Sequence, residues 1–345
     1  MGHMETILYI TPHYIVGMHD DGPVTISSTE GNAVRMTMDG DGGAVVTQGG
    51  GGHCVAIVVG EGDDEGEGEG DDEGEGEGEG EGEGEGEGEG EGEGEGEGGT
   101  LRIVDPRGGG PPREVRIHGL VTDDWGPGTA LTRTGRLVAR NGGDIHLYSP
   151  DEGELHTDRI FRGPRPVQRI AVSPDETTIV ASCGRETCAW DVATGTRTVL
   201  PGYVYHVRSL CFSPDGQCLV GISSDCVDLW DTRNGGFART ALASPGTERF
   251  YWAAAICPGS RTLVALARDG DHHRNTLLVF WDIPTRRHLR TEVMDHYTTM
   301  NLVSFTLDGR SVVVSPDATN IVTFHARHPA TGSVPGGVHD QVCLI

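Results

Sequence analysis

The sequence predicts an all-β protein assembled from a repeated unit of short antiparallel strands. One pattern recurs along the chain: an apolar strand, a turn with Pro, Asp or Gly, a second strand, a polar turn, and a third strand that ends in Trp-Asp. The 55 glycines and 18 prolines suit the frequent tight reversals of this pattern. The chain has 345 residues, which is more than a single domain with one ordinary hydrophobic core usually contains. The sequence therefore forms either two domains or one large closed β architecture.

The clearest copies of the unit lie in the second half of the chain. Residues 207–231 contain an apolar strand that ends in Ser-Pro-Asp-Gly, a second strand, and a third strand that ends in Trp-Asp. Residues 167–191 repeat this order, and a further copy ends at Trp281-Asp282. The three Trp-Asp pairs are 40 and 51 residues apart. This spacing indicates one unit of several short strands for each pair.

These repeats resemble those of the WD40 family, whose four-stranded blades pack around an axis as a β-propeller. Weaker third strands align with the clear copies at residues 23–31, 100–108, 144–153 and 320–328. Together they make seven units of about 44 residues once residues 61–98 are set aside. Blades in a ring bury both faces of each sheet and leave only short edges. The resemblance therefore implies one seven-bladed WD40-type β-propeller domain over residues 1–345.

The acidic excess of the chain is concentrated in residues 61–98. This segment holds 21 of the 53 Asp and Glu residues and no Lys or Arg, mostly as alternating Glu and Gly. Such a composition has no apolar surface to bury and repels itself, so we expect disorder. The flanking residues 53–59 and 101–105 are predicted as the second and third strands of blade two. The tract is therefore expected to be an insertion within a blade-two hairpin.

Two roles are open for this Glu-Gly tract. It is either a repeat that expanded in a solvated surface loop, or a polyanion that captures basic proteins such as histone-like tails. The resemblance to WD40 proteins, in which this loop opens on the same face as the turn before the first strand, also implies that the tract lies above Arg165 and Arg249. In that position it would act as an electrostatic gate, which admits basic partners and competes with acidic ones.

The rest of the chain is close to balanced in charge, with 32 acidic and 26 basic residues. It lacks the broad basic surface that holds nucleic acid, so no direct nucleic-acid partner is expected. No apolar stretch is long enough to cross a membrane, and no signal pattern is recognisable. The eight cysteines lie mostly in apolar runs without CxxC pairs, as reduced core thiols do. We expect a cytoplasmic or nuclear protein.

The common catalytic motifs are missing from the sequence. Gly-x-Ser-x-Gly, His-Glu-x-x-His and the Walker loop do not occur, and Gly-x-Gly-x-x-Gly occurs only in the Glu-Gly tract, where carboxylates would repel phosphate. No cofactor and no metal site are expected. The sequence therefore favours a non-catalytic scaffold that assembles one or more proteins. The alternatives are a factor that binds histones or other basic proteins through the tract, and a propeller enzyme.

In WD40 proteins the residues just before each first strand often form the face that contacts partners. The resemblance therefore implies a partner-binding set made of Trp125, Arg165, Tyr205, His206, Arg249 and Phe250. Trp, Tyr and Arg contribute most to the binding energy of protein interfaces. The alternative is that the aromatic members of this set pack between blades.

The WD40 family also uses a structural Asp-His-Ser/Thr-Trp network to tie each blade, and the match here is partial. Blade five carries Ser223, Asp225 and Trp230, with Tyr203 at the histidine position. Blade seven carries three members, which are His296, Ser315 and Asp317. In blade seven Phe324 replaces the tryptophan and cannot donate the indole hydrogen bond. These residues are expected to hold the fold.

Overall fold

The structure is a computed structural model of the chain. It describes residues 5–10, 14–19, 24–28, 31–38, 46–48, 55–59, 99–104, 113–117, 129–132, 134–141, 143–151, 154–164, 167–202, 207–243, 249–269, 276–294, 302–306, 308–315 and 322–325. Within these residues the fold is all-β, and the single helical element is a 3₁₀ turn at Arg233–Gly235. The Glu-Gly tract at 61–98 lies outside the described residues.

The strands form antiparallel groups that follow the chain order. The first sheet contains β1 (Glu5–Ile10), β2 (Tyr14–His19), β3 (Val24–Ser28) and β4 (Gly31–Met38). The next two groups are β5 (Val46–Gln48), β6 (Val55–Val59), β7 (Gly99–Val104) and β8 (Arg113–Ile117), then β9 (Thr129–Leu131), β10 (Leu137–Asn141), β11 (Asp144–Asp151) and β12 (Glu154–Phe161).

Four further sheets complete the described chain. The first contains β13 (Val167–Val172), β14 (Thr178–Cys183), β15 (Glu186–Asp191) and β16 (Arg197–Val199), and the second contains β17 (Ser209–Phe212), β18 (Cys218–Ile222), β19 (Val227–Asp231) and β20 (Ala238–Leu242). The third contains β21 (Arg249–Ile256), β22 (Thr262–Asp269), β23 (Thr276–Asp282) and β24 (Arg287–Met294). The last contains three described strands, β25 (Leu302–Phe305), β26 (Ser311–Ser315) and β27 (Val322–His325). Every segment predicted as a third strand is the third strand of its group.

Two groups share one eight-stranded sheet, which the sequence did not predict. The outer strands β8 and β12 pair in parallel, with Glu154 opposite Arg116 and Leu155 opposite Ile117. All other pairs within the described groups are antiparallel and join strands that are adjacent along the chain. Among the described strands, no sheet closes on itself.

The first strands of the groups lie beside one another. Contacts join β5 to β9, β9 to β13, β13 to β17, β17 to β21, β21 to β25, and β25 to β1. The first strands from β5 to β25 therefore follow one another in chain order, and the last sheet also contacts the first. Together with the four-stranded antiparallel groups, this arrangement is propeller-like.

The turn between the first and second strands repeats in five successive groups, from β9–β10 to β25–β26. In each turn the fourth residue donates its backbone N–H to the carbonyl of the first, as Gly216 does to Ser213 at 2.8 Å. The fourth residue has a left-handed backbone, with φ of 69° at Gly216 and 60° at Glu176. These turns also contact one another between sheets, since Thr134 N donates to Glu176 at 2.9 Å. The Pro-Asp-Gly pattern in the sequence thus marks real reversals.

The core lies between successive sheets. Trp190, Trp230 and Trp281 each occupy the same position in their third strands and are at most 2% exposed. Each packs against side chains of the preceding sheet as well as its own. In the last sheet Phe324 packs in the corresponding cluster and is half-buried. Burial of a large aromatic ring contributes about 2–3 kcal/mol, so the Trp-Asp positions help fix how the sheets stack.

Candidate functional site

The antiparallel order gives every sheet two distinct ends. We define the proximal face as the end at which the first strand begins, the second strand ends, the third begins and the fourth ends. In β21 and β22, for example, Arg249 at the start of the first strand pairs with Asp269 at the end of the second. The connection that leaves β6 and returns to β7 is also proximal, because Val59 pairs with Thr100. Of the residues predicted to contact partners, Arg249 and Phe250 begin β21 and therefore belong to this end of the sheets.

A row of three arginines crosses the proximal face from the third group to the fifth. Arg140 near the end of β10 donates from Nη1 to the carbonyl of Val167 at 3.1 Å. Arg169 in β13 donates from Nε to the carbonyl of Arg208 at 2.9 Å. Arg208 in turn donates from Nε to Ser224 Oγ at 3.2 Å. The first two bonds link neighbouring sheets, and the third lies within the fifth group. We call Arg140, Arg169 and Arg208 the arginine row.

The arginine row concentrates positive charge. Burial lowers the pKa of the Arg169 guanidinium, and the positive charges of Arg140 and Arg208 lower it further. Among the described residues no carboxylate lies within 4 Å of Arg169 or Arg208. Their bonds to oxygen use neutral acceptors, so their charge is not neutralised by a described side chain.

Phe250 extends this surface on the next sheet. Its side chain is 56% exposed, the highest value among the exposed large apolar side chains of the described chain. The following residue, Tyr251, donates its backbone N–H to the carbonyl of Ser224 at 3.0 Å, the residue whose hydroxyl binds Arg208. The residue after Phe250 is therefore bonded to the same segment that contacts Arg208. Exposed aromatic and arginine side chains at one face are typical of a protein-binding surface.

Two acidic side chains described at the proximal face contact residues other than Arg169 and Arg208. Asp144 lies 4.0 Å from Arg162. Asp225 accepts a hydrogen bond from Ser223 Oγ at 2.9 Å. At the opposite end, by contrast, turn carboxylates such as Asp175 accept several hydrogen bonds, first from Ser173 Oγ, and these lower the pKa of Asp175. Positive charge without a carboxylate partner is thus a feature of the proximal face within the described chain.

The predicted partner-binding set is only partly visible. Phe250 is exposed as expected, and Arg249 is the first residue of β21. The other four members, Trp125, Arg165, Tyr205 and His206, lie outside the described residues. Arg140, Arg169 and Arg208 were missed by the sequence analysis. Arg208 follows Tyr205-His206 by two residues, so a wider window before the first strand would have included it.

The predicted structural residues form two separate contacts in the fifth group. Ser223 is 1% exposed and its hydroxyl donates to Asp225 at 2.9 Å. The indole nitrogen of Trp230 donates to the carbonyl of Pro201 at 2.8 Å, in the connection from the preceding sheet. Trp281 makes the same kind of bond to the carbonyl of Ala243 at 3.0 Å. In the last sheet Ser315 is fully buried, while His296 and Asp317 lie outside the described residues.

A buried ion pair lies behind the proximal face. Asp228 in β19 is fully buried, and Arg239 Nη2 lies 2.9 Å from its Oδ1. The contact is an ion pair without a well-aligned hydrogen bond, since Oδ1 has no hydrogen-bond partner. Burial raises the pKa of Asp228, and Arg239 opposes that rise. No sequence pattern indicates this pair, because Asp228 is a polar residue in an alternating strand like many others.

Two further observations concern possible metal and membrane sites. The described residues contain no group of three or more His, Cys, Asp or Glu side chains that would hold a metal ion. Six of the eight cysteines are described, all as free thiols, and four of them are buried. None of the described segments is a helix with the length and apolar character needed to span a bilayer.

Comparisons with known proteins are informative only at the level of the fold. No protein-family model matches the sequence, and no curated protein matches it. The described chain has the propeller-like all-β architecture set out above. In a comparison with solved structures, 1294 chains match this fold. One of them is hydrazine synthase from Kuenenia stuttgartiensis, with 15% sequence identity and a TM-score of 0.62. That match covers 94% of this chain and 96% of the other, and at this identity it concerns the fold alone.

Proposed function

We propose that the chain is a seven-bladed WD40-type β-propeller that serves as a non-catalytic scaffold for assembling proteins. Support for the blade count comes from the four-strand periodicity and from the contacts that run between first strands and return from β25 to β1. Support for the repeat type comes from the Trp-Asp pairs at the ends of three third strands.

The observation that carries the scaffold proposal is the composition of the proximal face. Arg169 and Arg208 have no described carboxylate partner, and Phe250 is exposed on the adjoining sheet. Exposed aromatic and arginine side chains in one surface are the usual centre of a protein interface. Since Arg169 is oriented by two backbone carbonyls and Arg208 by the Ser224 hydroxyl, the guanidinium groups lose little side-chain entropy when a partner binds.

Affinity capture with matched variants tests this proposal. The tagged full chain, a Phe250→Ala/Arg208→Gln variant and an Arg310→Gln control are used to capture proteins from extract, and each captured protein is then purified and its dissociation constant measured. Arg310 is a suitable control because its side chain is 86% exposed at the opposite end of the last sheet. A direct partner should bind the double variant at least tenfold more weakly than the control. Equal binding of every partner to both variants would contradict the proposal.

The second candidate is a factor that binds basic proteins through the Glu-Gly tract. It is favoured by the 21 acidic residues at 61–98 and by their position between two paired strands, β6 and β7. Deletion of 61–98 and a salt titration separate the candidates. A basic partner should lose affinity on deletion and should bind steeply more weakly as salt rises. A scaffold partner that binds at Phe250 should keep its affinity after the deletion.

A further inference from the structure

We infer that the arginine row is a binding site for an anionic peptide segment of a protein partner. Arg169 and Arg208 bind the carboxylate or phosphate groups of that segment. This inference rests on the proposed scaffold function and adds the chemistry of the partner. The site is formed by two adjacent sheets, since Arg169 belongs to β13 and Arg208 precedes β17. Phe250 at the start of β21, on the following sheet, adds an exposed apolar side chain to the same face.

The first argument is the number of donors that remain for a ligand. A guanidinium group has five N–H donors. Arg169 uses Nε toward the carbonyl of Arg208 and Nη1 toward the carbonyl of Gln168, and no described acceptor is bound at Nη2. Arg208 uses Nε toward Ser224, which leaves both of its Nη groups for a ligand. Paired Nη donors match the two oxygens of a carboxylate or the oxygens of a phosphate.

The second argument is electrostatic. Like charges that are held together by the fold repel one another, and the lowered pKa of Arg169 reflects this repulsion as well as burial. An anion placed among them relieves the repulsion and gains attraction from each cation. Within the described chain no carboxylate lies within 4 Å of Arg169 or Arg208 to supply this charge.

The third argument is rigidity. The bonds from Arg169 and Arg208 end on Ser224 and on backbone carbonyls at the proximal end of the sheets, so the guanidinium groups are held by the strands that carry them. Preorganised cations bind an anion with a smaller entropic cost than free surface side chains do. The exposed phenyl ring of Phe250 favours a peptide over a free ion, because a peptide has side chains to place against it.

Fluorescence anisotropy with the full-length protein tests the inference. The probes are three labelled peptides of about twelve residues: one with alternating Glu and Ser, one with two phosphoserines among Ser and Gly, and one with alternating Lys and Ser. The proteins are the wild type, Arg169→Gln, Arg208→Gln, the double variant, Arg208→Lys and Arg310→Gln. Each protein is measured with and without residues 61–98, because the acidic tract is expected to compete with anionic probes at this face and its effect would change when arginines are replaced.

We expect an anionic peptide to bind the wild type and Arg310→Gln equally, and to bind about tenfold more weakly for each arginine replaced by Gln at low salt. Arg208→Lys should restore part of that loss, since it keeps the charge but not the paired donors. Binding of the phosphopeptide alone would support the inference and assign the anion as phosphate, and binding of the Glu peptide would assign it as carboxylate. Any binding of the Lys peptide should not change in the arginine variants.

The inference is wrong if neither anionic peptide binds, or if both bind the double variant as tightly as the wild type. This failure is distinct from failure of the scaffold proposal, because partners captured through Phe250 would still be lost in the Phe250→Ala/Arg208→Gln variant. The Arg208→Gln variant is expected to fold, since the Arg208 side chain is exposed and the substitution keeps the backbone carbonyl that accepts the hydrogen bond from Arg169. A thermal melt of each variant checks that the fold is retained.

Discussion

Trp230 donates its indole N–H to the carbonyl oxygen of Pro201 at 2.8 Å, and this bond fixes a third strand to the connection that arrives from the preceding sheet. Trp281 repeats the arrangement with Ala243. In both cases the acceptor residue follows the fourth strand of the previous group. The hydrogen bond therefore joins the two neighbouring groups, which the packing of the Trp ring also holds together. The Trp of each Trp-Asp pair therefore combines burial with a specific polar contact.

Trp230→Phe should keep most of the packing and lose this bond. A carbonyl left without a donor costs about 1–3 kcal/mol, so we expect a decrease of that size in the free energy of unfolding. Trp252→Phe is the matched control, because the indole nitrogen of Trp252 is buried without a hydrogen-bond partner within the described chain. Urea denaturation followed by circular dichroism measures both variants. A loss in Trp252→Phe as large as that in Trp230→Phe would show that ring volume alone is responsible.

Gly221→Ala should destabilise the protein through contact with the same ring. A Cβ at position 221 would lie 2.8 Å from Trp230 Cζ3, which is too close for a buried aromatic ring to accommodate. Overpacking of this kind costs about 1–3 kcal/mol. Gly259→Ala is the control, because a Cβ there meets nothing within 4 Å, and its effect should stay within about 0.5 kcal/mol. The thermal midpoints of both variants report the difference.

Arg239→Gln should produce a pH-dependent loss of stability. The variant leaves the buried carboxylate of Asp228 without its countercharge, which costs about 3 kcal/mol at neutral pH. Because burial raises the pKa of Asp228, the folded state holds a proton more tightly than the unfolded chain, whose Asp has a pKa of about 3.9. Stability therefore falls as pH rises from about 4 through the raised pKa and is level above it.

The Asp228→Asn/Arg239→Gln double variant provides the control for that prediction. It has no carboxylate to titrate, so its stability relative to wild type should lack the additional fall seen in Arg239→Gln. Urea denaturation between pH 4 and pH 8 measures both proteins. If the two variants follow the same pH dependence, the carboxylate of Asp228 is not the group that responds.

Asp231→Asn should show the opposite dependence on pH. Hydrogen bonds from Arg233 lower the pKa of Asp231 to about 2, so the ionised carboxylate stabilises the folded state above the unfolded pKa of about 3.9. The contribution is lost as pH falls through about 2. Because Arg233 is 60% exposed, the loss in the variant at pH 7 should not exceed about 1 kcal/mol. Arg233→Gln should give a similar loss, and the two substitutions together little more.

The strands and turns could be predicted from the sequence because they depend on local patterns. Ser213-Pro-Asp-Gly216 forms the turn that its residues favour, and Trp230 lies in a third strand as the Trp-Asp pattern indicates. The arginine row could not be predicted, because Arg169 and Arg208 are 39 residues apart and meet only when two sheets are placed side by side. The parallel pairing of β8 with β12 could not be predicted either, since the sequence of an outer strand does not specify which other strand it pairs with.

The pairing of β8 with β12 affects how the molecule opens and how copies associate. An outer strand with free N–H and C=O groups is a template onto which another molecule can add a strand. Where Glu154 meets Arg116 and Leu155 meets Ile117, each edge covers part of the other. The two groups should also open together in native-state hydrogen exchange, since neither outer strand can leave without breaking the shared bonds. Strands β16, β20 and β24 have no such neighbour among the described strands, so fraying and self-association should begin there instead.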